Sequence, residues 1–153
     1  MTEPTRAFDT RLAAYCVVVR DGQILLALWD ARDISADLRP RWTLPGGGIE
    51  LRERIEDGAV REVAEETGYT VRLGRLLGVD SGVVEVGHRL RGEPRPLQTV
   101  AVLYQAEVTG GRLTHEVGGS TSQAAWFPLE GVAELDRVSR VDAALELYRK
   151  AAG

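Results

Sequence analysis

Two nearly continuous apolar runs, "RLAAYCVVVR" and "QILLALW", stand near the start of the chain with Asp21-Gly22 between them. Asp-Gly between apolar runs predicts a β-hairpin closed by a two-residue turn. Because the runs do not alternate with polar residues, both faces of these strands are expected to be buried. Before them, residues 1–10, "MTEPTRAFDT", are polar and read as a flexible lead-in to a single domain over 11–153. After them, "DARDISADLRPR" is polar, contains Pro40 and reads as a loop. "WTLPGGG" reads as a short strand that breaks at Pro45 and the glycines.

The apolar period then changes. Ile55, Ala59 and Val63 fall at i, i+4 and i+8, with Val60 and Ala64 beside them, which predicts a helix from about Arg54 to Thr67. Gly68 stands where a left-handed C-terminal cap is expected. Gly58, inside the helix, costs about 1 kcal/mol relative to alanine and suggests that another segment approaches closely there. "YTVRLGRLLGV" reads as a strand or two, and "SGVVEVGHRLRGEPRP" as a loop with a weak strand in it. "LQTVAVLYQAEV" reads as a strand turned by "TGG", and "QAAWFPL" as another strand. "SRVDAALELYRKAA" predicts a terminal helix with Val141, Leu145 and Tyr148 on one face and a Ser139–Asp142 capping box. A mixed sheet with two main helices gives an α/β sandwich.

Composition narrows this picture. A chain of 153 residues, 44% apolar and 27% charged, is ordinary for one globular domain. A net charge of -4 provides no general basic field, which disfavours nucleic acid or a membrane surface as partner. The single cysteine, Cys16, lies in an apolar run and reads as a buried thiol, and no internal disulfide is possible. No apolar segment is long enough to span a bilayer and the N-terminus has no apolar signal core, so a cytoplasmic location is expected.

The candidate chemistry lies in "GGGIELRERIEDGAVREVAEETGY", residues 46–69, which holds Glu50, Glu53, Glu56, Asp57, Glu62, Glu65 and Glu66. Glu62, Glu65 and Glu66 stand at i, i+3 and i+4 and share one helical face, with the apolar stripe expected on the other side. Like charges at this spacing destabilise an isolated helix unless cations neutralise them. Carboxylate oxygens suit Mg²⁺ or Mn²⁺, and neither His88 nor His115 is near in sequence to favour zinc. The glycines allow a tight turn and close approach to a ligand, and Arg61 can orient a carboxylate through its fork. Ions held by carboxylates leave positions open for phosphate oxygens and water, and a pair of ions can clamp both oxygens of a phosphoryl transfer. A carboxylate base can then deprotonate the water. The pattern therefore points to metal-dependent attack on a phosphate ester or anhydride. A solvated, salt-bridged acidic helix explains the same spacing equally well.

The stretch resembles the Nudix box, G-x5-E-x7-R-E-U-x-E-E-x-G-U with U a bulky apolar residue. Gly47 opens the pattern, Glu53 follows, then Arg61 and Glu62, Val63, the pair Glu65 and Glu66, and Gly68. Tyr69 holds the final position, where an aliphatic residue is more usual, and Arg52 stands where relatives often have glycine. The order of elements from about residue 12 onward is similar to the family as well. The resemblance implies a Nudix-type α/β/α sandwich with a mixed sheet and the box as loop-helix-loop. It implies hydrolysis of a nucleoside diphosphate linked to another moiety, with Mg²⁺ or Mn²⁺. By position, Glu62, Glu65 and Glu66 would be metal ligands, joined by the Gly47 carbonyl. Glu62 would alternatively be the base that activates water. Arg61 would orient a box glutamate, with Glu53 as its partner. Homodimers are common in the family, so a homodimer with a small nucleotide substrate is the expectation.

Substrate is set outside the box. The downstream proline or tyrosine typical of ADP-ribose and diadenosine polyphosphate hydrolases is missing from "SGVVEVGH", and the NADH-type mark "SQPWPFPxS" is absent. The short chain favours a (deoxy)nucleoside triphosphate, with ADP-ribose or another nucleotide sugar as the alternative. Many relatives carry a further acid on a loop ahead of the segment that is "AAWF" here, yet this chain has Ser122 and Gln123. Glu116 and Glu85 are the candidates to replace it; if neither does, a nucleotide-sensing module with little turnover is the rival. Trp29, Trp42 and Trp126 could stack on a base, though core packing is the expected role of each. Arg20 and Arg41 are expected as surface arginines.

Overall fold

The computed structural model describes residues 6–153. Part of the expected lead-in, residues 1–5, lies outside them. The first strand, β1 (Asp9–Arg20), starts two residues ahead of the expected domain boundary. Asp9 pairs with Leu97 in the sheet, and its carboxylate takes Arg89 at 2.7 Å and Arg95 at 2.8 Å, so the strand start is fastened to the loop that carries these arginines.

β1 turns into β2 (Gln23–Trp29) through Asp21 and Gly22, both at positive φ, as the Asp-Gly turn requires. The two strands meet only near that turn, at Val19↔Ile24 and Arg20↔Gln23. Beyond it they part. β1 runs parallel to β6 (Leu97–Gly111) from Asp9↔Leu97 to Val18↔Ala106, and β6 pairs with β5 (Tyr69–Val84). β2 pairs with β3 (Arg41–Thr43) and β7 (Thr121–Pro128). β4 (Gly46–Gly48) pairs with β1. Thus "WTLPGGG" is not one strand: with Arg41 it forms two three-residue strands, separated at Leu44-Pro45.

The helices α1 (Ile55–Thr67) and α2 (Ser139–Ala152) cover opposite faces of this mixed sheet. On the α1 side Ala14, Cys16, Val18 and Leu25 pack with Ala59 and Val63. On the α2 side Val17, Ile24, Leu26 and Leu103 pack with Val141, Ala144 and Leu145. Burying a side chain such as Val63 contributes roughly 1.5–3 kcal/mol relative to leaving it exposed. Each face thus has its own core, which makes an α/β/α sandwich. Cys16 is fully buried, and burial pushes its thiol up to about 12. Among the described residues no helix is long and apolar enough to cross a membrane.

Several local expectations change. "YTVRLGRLLGV" is one strand, β5, whose register shifts three times against β6, and it continues through Val84 into the expected loop. "TGG" extends β6 instead of turning it, because Gly110 and Gly111 still pair with Thr70 and Tyr69. Gly111 is left-handed at φ +77, where a Cβ would strike the Gly68 carbonyl. The Ser139–Asp142 capping box does not form. Val138 is the N-cap and no side chain caps the helix. Asp142 is drawn instead to Arg137, at 2.8 Å from Nε, while Arg137 also binds the carbonyls of Ala133 and Leu135.

Candidate active site

The site is built on the loop Gly46–Arg54 and the outer face of α1. Gly46 must lie flat against β1: a Cβ there would run into the Ala14 carbonyl oxygen. At Gly47 a Cβ would fall 2.7 Å from the Glu62 carboxyl carbon, so the bare backbone leaves room for that carboxylate. Gly58 serves the same purpose inside the helix. Ile49 Cδ1 and Glu53 Oε1 come within 2.6 and 2.7 Å of where its Cβ would be, which is the close approach expected there. Arg52 sits at φ +69, a left-handed conformation that glycine adopts more readily than any other residue. Gly68 caps α1 at φ +79, its N–H donating to the Ala64 carbonyl.

Arg61 is the hub of the acids. Its Nε donates to Glu53 Oε2 at 2.7 Å and its Nη2 to Glu53 Oε1 at 2.9 Å. Nη2 also donates to the Gly48 carbonyl at 3.2 Å, which ties the helix to the glycine loop. The remaining nitrogen, Nη1, bridges Glu62 at 3.1 Å and Glu65 at 3.2 Å. The paired guanidinium holds the Glu53 carboxyl down at about 2, and the carboxylates in turn raise Arg61 above its ordinary value. Glu53 also accepts from the Glu50 N–H at 3.1 Å and so closes the loop on itself.

Glu66 departs from the expected division between an acidic and an apolar face. It falls on the buried face with Ala59 and Val63 and is 3% exposed, whereas Ala64 points to solvent. Its Oε2 accepts the Gly46 N–H at 3.0 Å. Burial pushes this carboxyl up to about 9; the Gly46 bond opposes the rise, and Glu62, Glu116 and Glu65 add to it. Glu62 is also raised, chiefly by burial, with Arg61 opposing. Glu56 and Asp57 have another use: they lie in the first turn of α1, where negative charge favours the helix dipole.

Glu116 is the residue that sequence reasoning left without a claim. It acts electrostatically on both Glu62 and Glu66, so the loop ahead of β7 brings it toward the box acids. Thr121 Oγ1 donates to Glu116 at 2.6 Å, and His115 Nδ1 accepts the Ala124 N–H at 3.3 Å; together they pin the loop to β7. No spacing rule links Glu116 to the helix; only the fold does. The other candidate, Glu85, lies at the far end of β5, beside Phe8 and Pro96.

Among the described residues, no three acidic, His or Cys side chains already converge as a metal cage. The donor set nevertheless suits a hard divalent cation. Glu62, Glu65 and Glu66 supply carboxylate oxygens, Gly47 supplies a backbone freed of side chain, and the Arg61 guanidinium already fills the place of a positive charge between Glu62 and Glu65.

Tyr69, at the end of the box, accepts a hydrogen bond from Trp126 Nε1 at 3.1 Å, and the rings meet edge to face at 5.8 Å. That contact gives the unusual aromatic a place. Arg20 lies over Trp126, 4.5 Å from the ring centre.

The chain matches the NUDIX domain family over residues 9–147 and belongs to it. It is 33% identical over 126 residues, covering 82% of this chain and 51% of the relative, to a putative ADP-ribose pyrophosphatase of Bacillus subtilis (strain 168). It is 41% identical over 80 residues, covering 51% of this chain and 44% of the relative, to diphosphoinositol polyphosphate phosphohydrolase 3-alpha of Mus musculus. The chain thus spans about half the length of these curated relatives. A NUDIX hydrolase from Nitrosomonas europaea shares the fold with a TM-score of 0.76 at 19% identity, over 94% of this chain and 90% of that one.

Proposed function

We propose that this chain hydrolyses the pyrophosphate bond of a nucleoside diphosphate derivative, using Mg²⁺ or Mn²⁺ held by Glu62, Glu65 and Glu66 with the Gly47 backbone. The observation that carries this reading is the Glu53–Arg61 clamp, which fixes an arginine where two box carboxylates meet. Bound divalent ions would neutralise the pyrophosphate oxygens and lower the pKa of an attacking water.

The residues divide the work. Arg61 orients Glu62 and Glu65 without moving itself, because Glu53 and the Gly48 carbonyl hold the rest of its fork. As the alternative to ligating the metal, Glu62, whose carboxyl burial raises, would be the base that takes a proton from water. Glu116, held by Thr121, supplies the loop acid that Ser122 and Gln123 do not. With that acid present, the observation favouring a sensing module with little turnover loses its force. A (deoxy)nucleoside triphosphate or an ADP-ribose-like nucleotide sugar would each present the required bond, and the Bacillus subtilis relative's name supports the second.

The test is release of nucleoside monophosphate or phosphate from deoxynucleoside triphosphates, ADP-ribose, nucleotide sugars and diadenosine polyphosphates. Metal-dependent turnover of one class is expected. No turnover on the whole panel with either metal would overturn the reading.

A further inference from the structure

β5 is the last strand of its sheet, and among the described residues no strand pairs with its outer edge. An edge strand presents unpaired N–H and C=O groups, and proteins usually blunt it with bulges or charges. The first half of β5 is blunted in this way. Its three register shifts against β6 all fall between Thr70 and Gly78, where Arg72 and Arg75 also stand. The second half is not. From Gly78↔Leu103 to Val84↔Leu97, seven residues pair one to one with β6. Asp80 is the only charged residue among them, and it turns toward Arg140 of α2, at 3.9 Å.

The same stretch exposes large apolar side chains. Val79 is 60% and Val83 59% exposed, although both belong to a strand. Val79 pairs with Val102, which packs on the α1-side core, and Val83 lies on the same face four residues further on. Leu76, opposite Tyr104 of that core, is 55% exposed, and Val86, just beyond the strand, is 45% exposed. α1 therefore leaves this end of the sheet face uncovered.

These positions share one centre. Val79 and Val83 lie two residues to either side of Ser81, and Leu76 and Val86 lie five to either side. Directly opposite residues of an antiparallel pair share a face. A second β5, laid antiparallel with Ser81 against Ser81, therefore sets Val79 against Val83 twice, with Leu76 and Val86 flanking the pairs. Asp80 falls opposite Gly82, so like charges do not meet. Glu85 comes within two positions of the second copy's Arg75, because the strand is basic in its first half and acidic in its second. A slip of one residue sets Val79 against Gly82 or Val84 and loses both valine pairs. An unrelated strand has no reason to match this centre, whereas a copy of β5 matches it by symmetry.

We infer that the outer edge of β5 pairs with the same edge of a second copy of this chain, about a two-fold axis at Ser81, joining the two sheets into one. This gives the expected homodimer a definite surface and register, and it is independent of the proposed hydrolysis.

The experiment weighs the native full chain by light scattering after size exclusion, from about 1 to about 200 µM. A mass that rises with concentration to twice 16.7 kDa is expected. Val79→Lys/Val83→Lys sets lysine against lysine twice and should stay monomeric throughout. Val79→Glu/Val83→Lys sets each glutamate against a lysine in this register alone; it should dimerise again, which also shows that the substituted strand folds. Val117→Lys, at a 96% exposed valine away from the edge, should behave as the native chain. Ser81→Cys tests the axis itself. Opposite Cα atoms in such a pair lie about 4.5–5.5 Å apart, within reach of a disulfide. Cys16 is buried and takes no part. Under mild oxidation Ser81→Cys should cross-link two chains about tenfold faster or more than Val117→Cys does by collision. A native chain that stays monomeric at every concentration overturns the inference. So does a dimer that survives Val79→Lys/Val83→Lys, a Val79→Glu/Val83→Lys variant that is equally monomeric, or Ser81→Cys cross-linking no faster than Val117→Cys. The proposed hydrolysis is judged by its own assay and stands or falls separately.

Discussion

Glu53 grips Arg61 by two prongs, Nε to Oε2 at 2.7 Å and Nη2 to Oε1 at 2.9 Å, and leaves Nη1 to Glu62 and Glu65. One carboxylate outside the acidic face of α1 thereby sets the geometry of that face. Glu53→Gln keeps the shape but loses the charge and one acceptor. Activity is expected to fall about 10- to 100-fold, the usual cost of removing a positioning partner. The same variant tests a pH effect. The Glu53 carboxyl is held at about 2, below its ordinary 4.5, so its contribution to stability is present above pH 4.5 and is lost as pH falls toward 2. Thermal melts between pH 2 and pH 6 should show a shallower acid loss in Glu53→Gln than in the native chain; parallel curves would contradict the assignment.

Glu66 has the opposite sign. Its carboxyl is raised from 4.5 to about 9, so it carries a proton at neutral pH in the metal-free chain. Its contribution to stability is present below pH 4.5 and is lost as pH rises through 9. Binding of Mg²⁺ to the carboxylate must expel that proton. Calorimetry at pH 7.5 in buffers of different ionisation enthalpy should find about one proton released per chain on Mg²⁺ binding, and less as pH approaches 9. Release unchanged in Glu66→Gln would show that the proton comes from elsewhere.

Gly58→Ala ought to stabilise an ordinary exposed helix by about 1 kcal/mol. Here the new Cβ meets Ile49 Cδ1 and Glu53 Oε1, and Glu53 cannot yield without releasing Arg61. The expected result is a clear loss of kcat with little or no gain in Tm. A Tm raised as in an isolated helix, with activity intact, would show that the contact is slack.

Arg52→Gly should act on stability alone. Arg52 is left-handed and its side chain is exposed, so glycine removes strain of roughly 1 kcal/mol, offset in part by its larger unfolded-state entropy. Urea denaturation should show a stabilised chain with unchanged kcat. A destabilised variant would mean that the arginine side chain holds the loop.

Much of the fold could be read from the order of residues because its signals are local. Asp21-Gly22 fixes the first hairpin, the 3.6-residue stripe marks α1, and α2 begins and ends where its apolar period does. The box placed Glu53, Arg61, Glu62 and Glu65 together because loop and helix are continuous in the chain. Legibility failed where a distant partner decides. Asp142 abandons its cap for Arg137. Gly110 and Gly111 stay in the ladder because Tyr69 and Thr70 extend it. Glu66 turns inward because Gly46 waits there with an N–H. Glu116 is held by Thr121 of β7 and acts on Glu62 and Glu66 only as a charge from a separate loop, which no spacing in the sequence encodes.

The most direct measurement compares initial rates of the native chain, Glu65→Gln, Glu116→Gln and Glu85→Gln with Mg²⁺, on the nucleotide substrate that the native chain turns over. Glu65→Gln and Glu116→Gln should each lose more than the roughly 100-fold upper range typical of positioning partners. Glu85→Gln, at the far end of β5, should match the native chain. Native rates in Glu65→Gln would contradict the account, leaving the acidic face of α1 as a solvated surface.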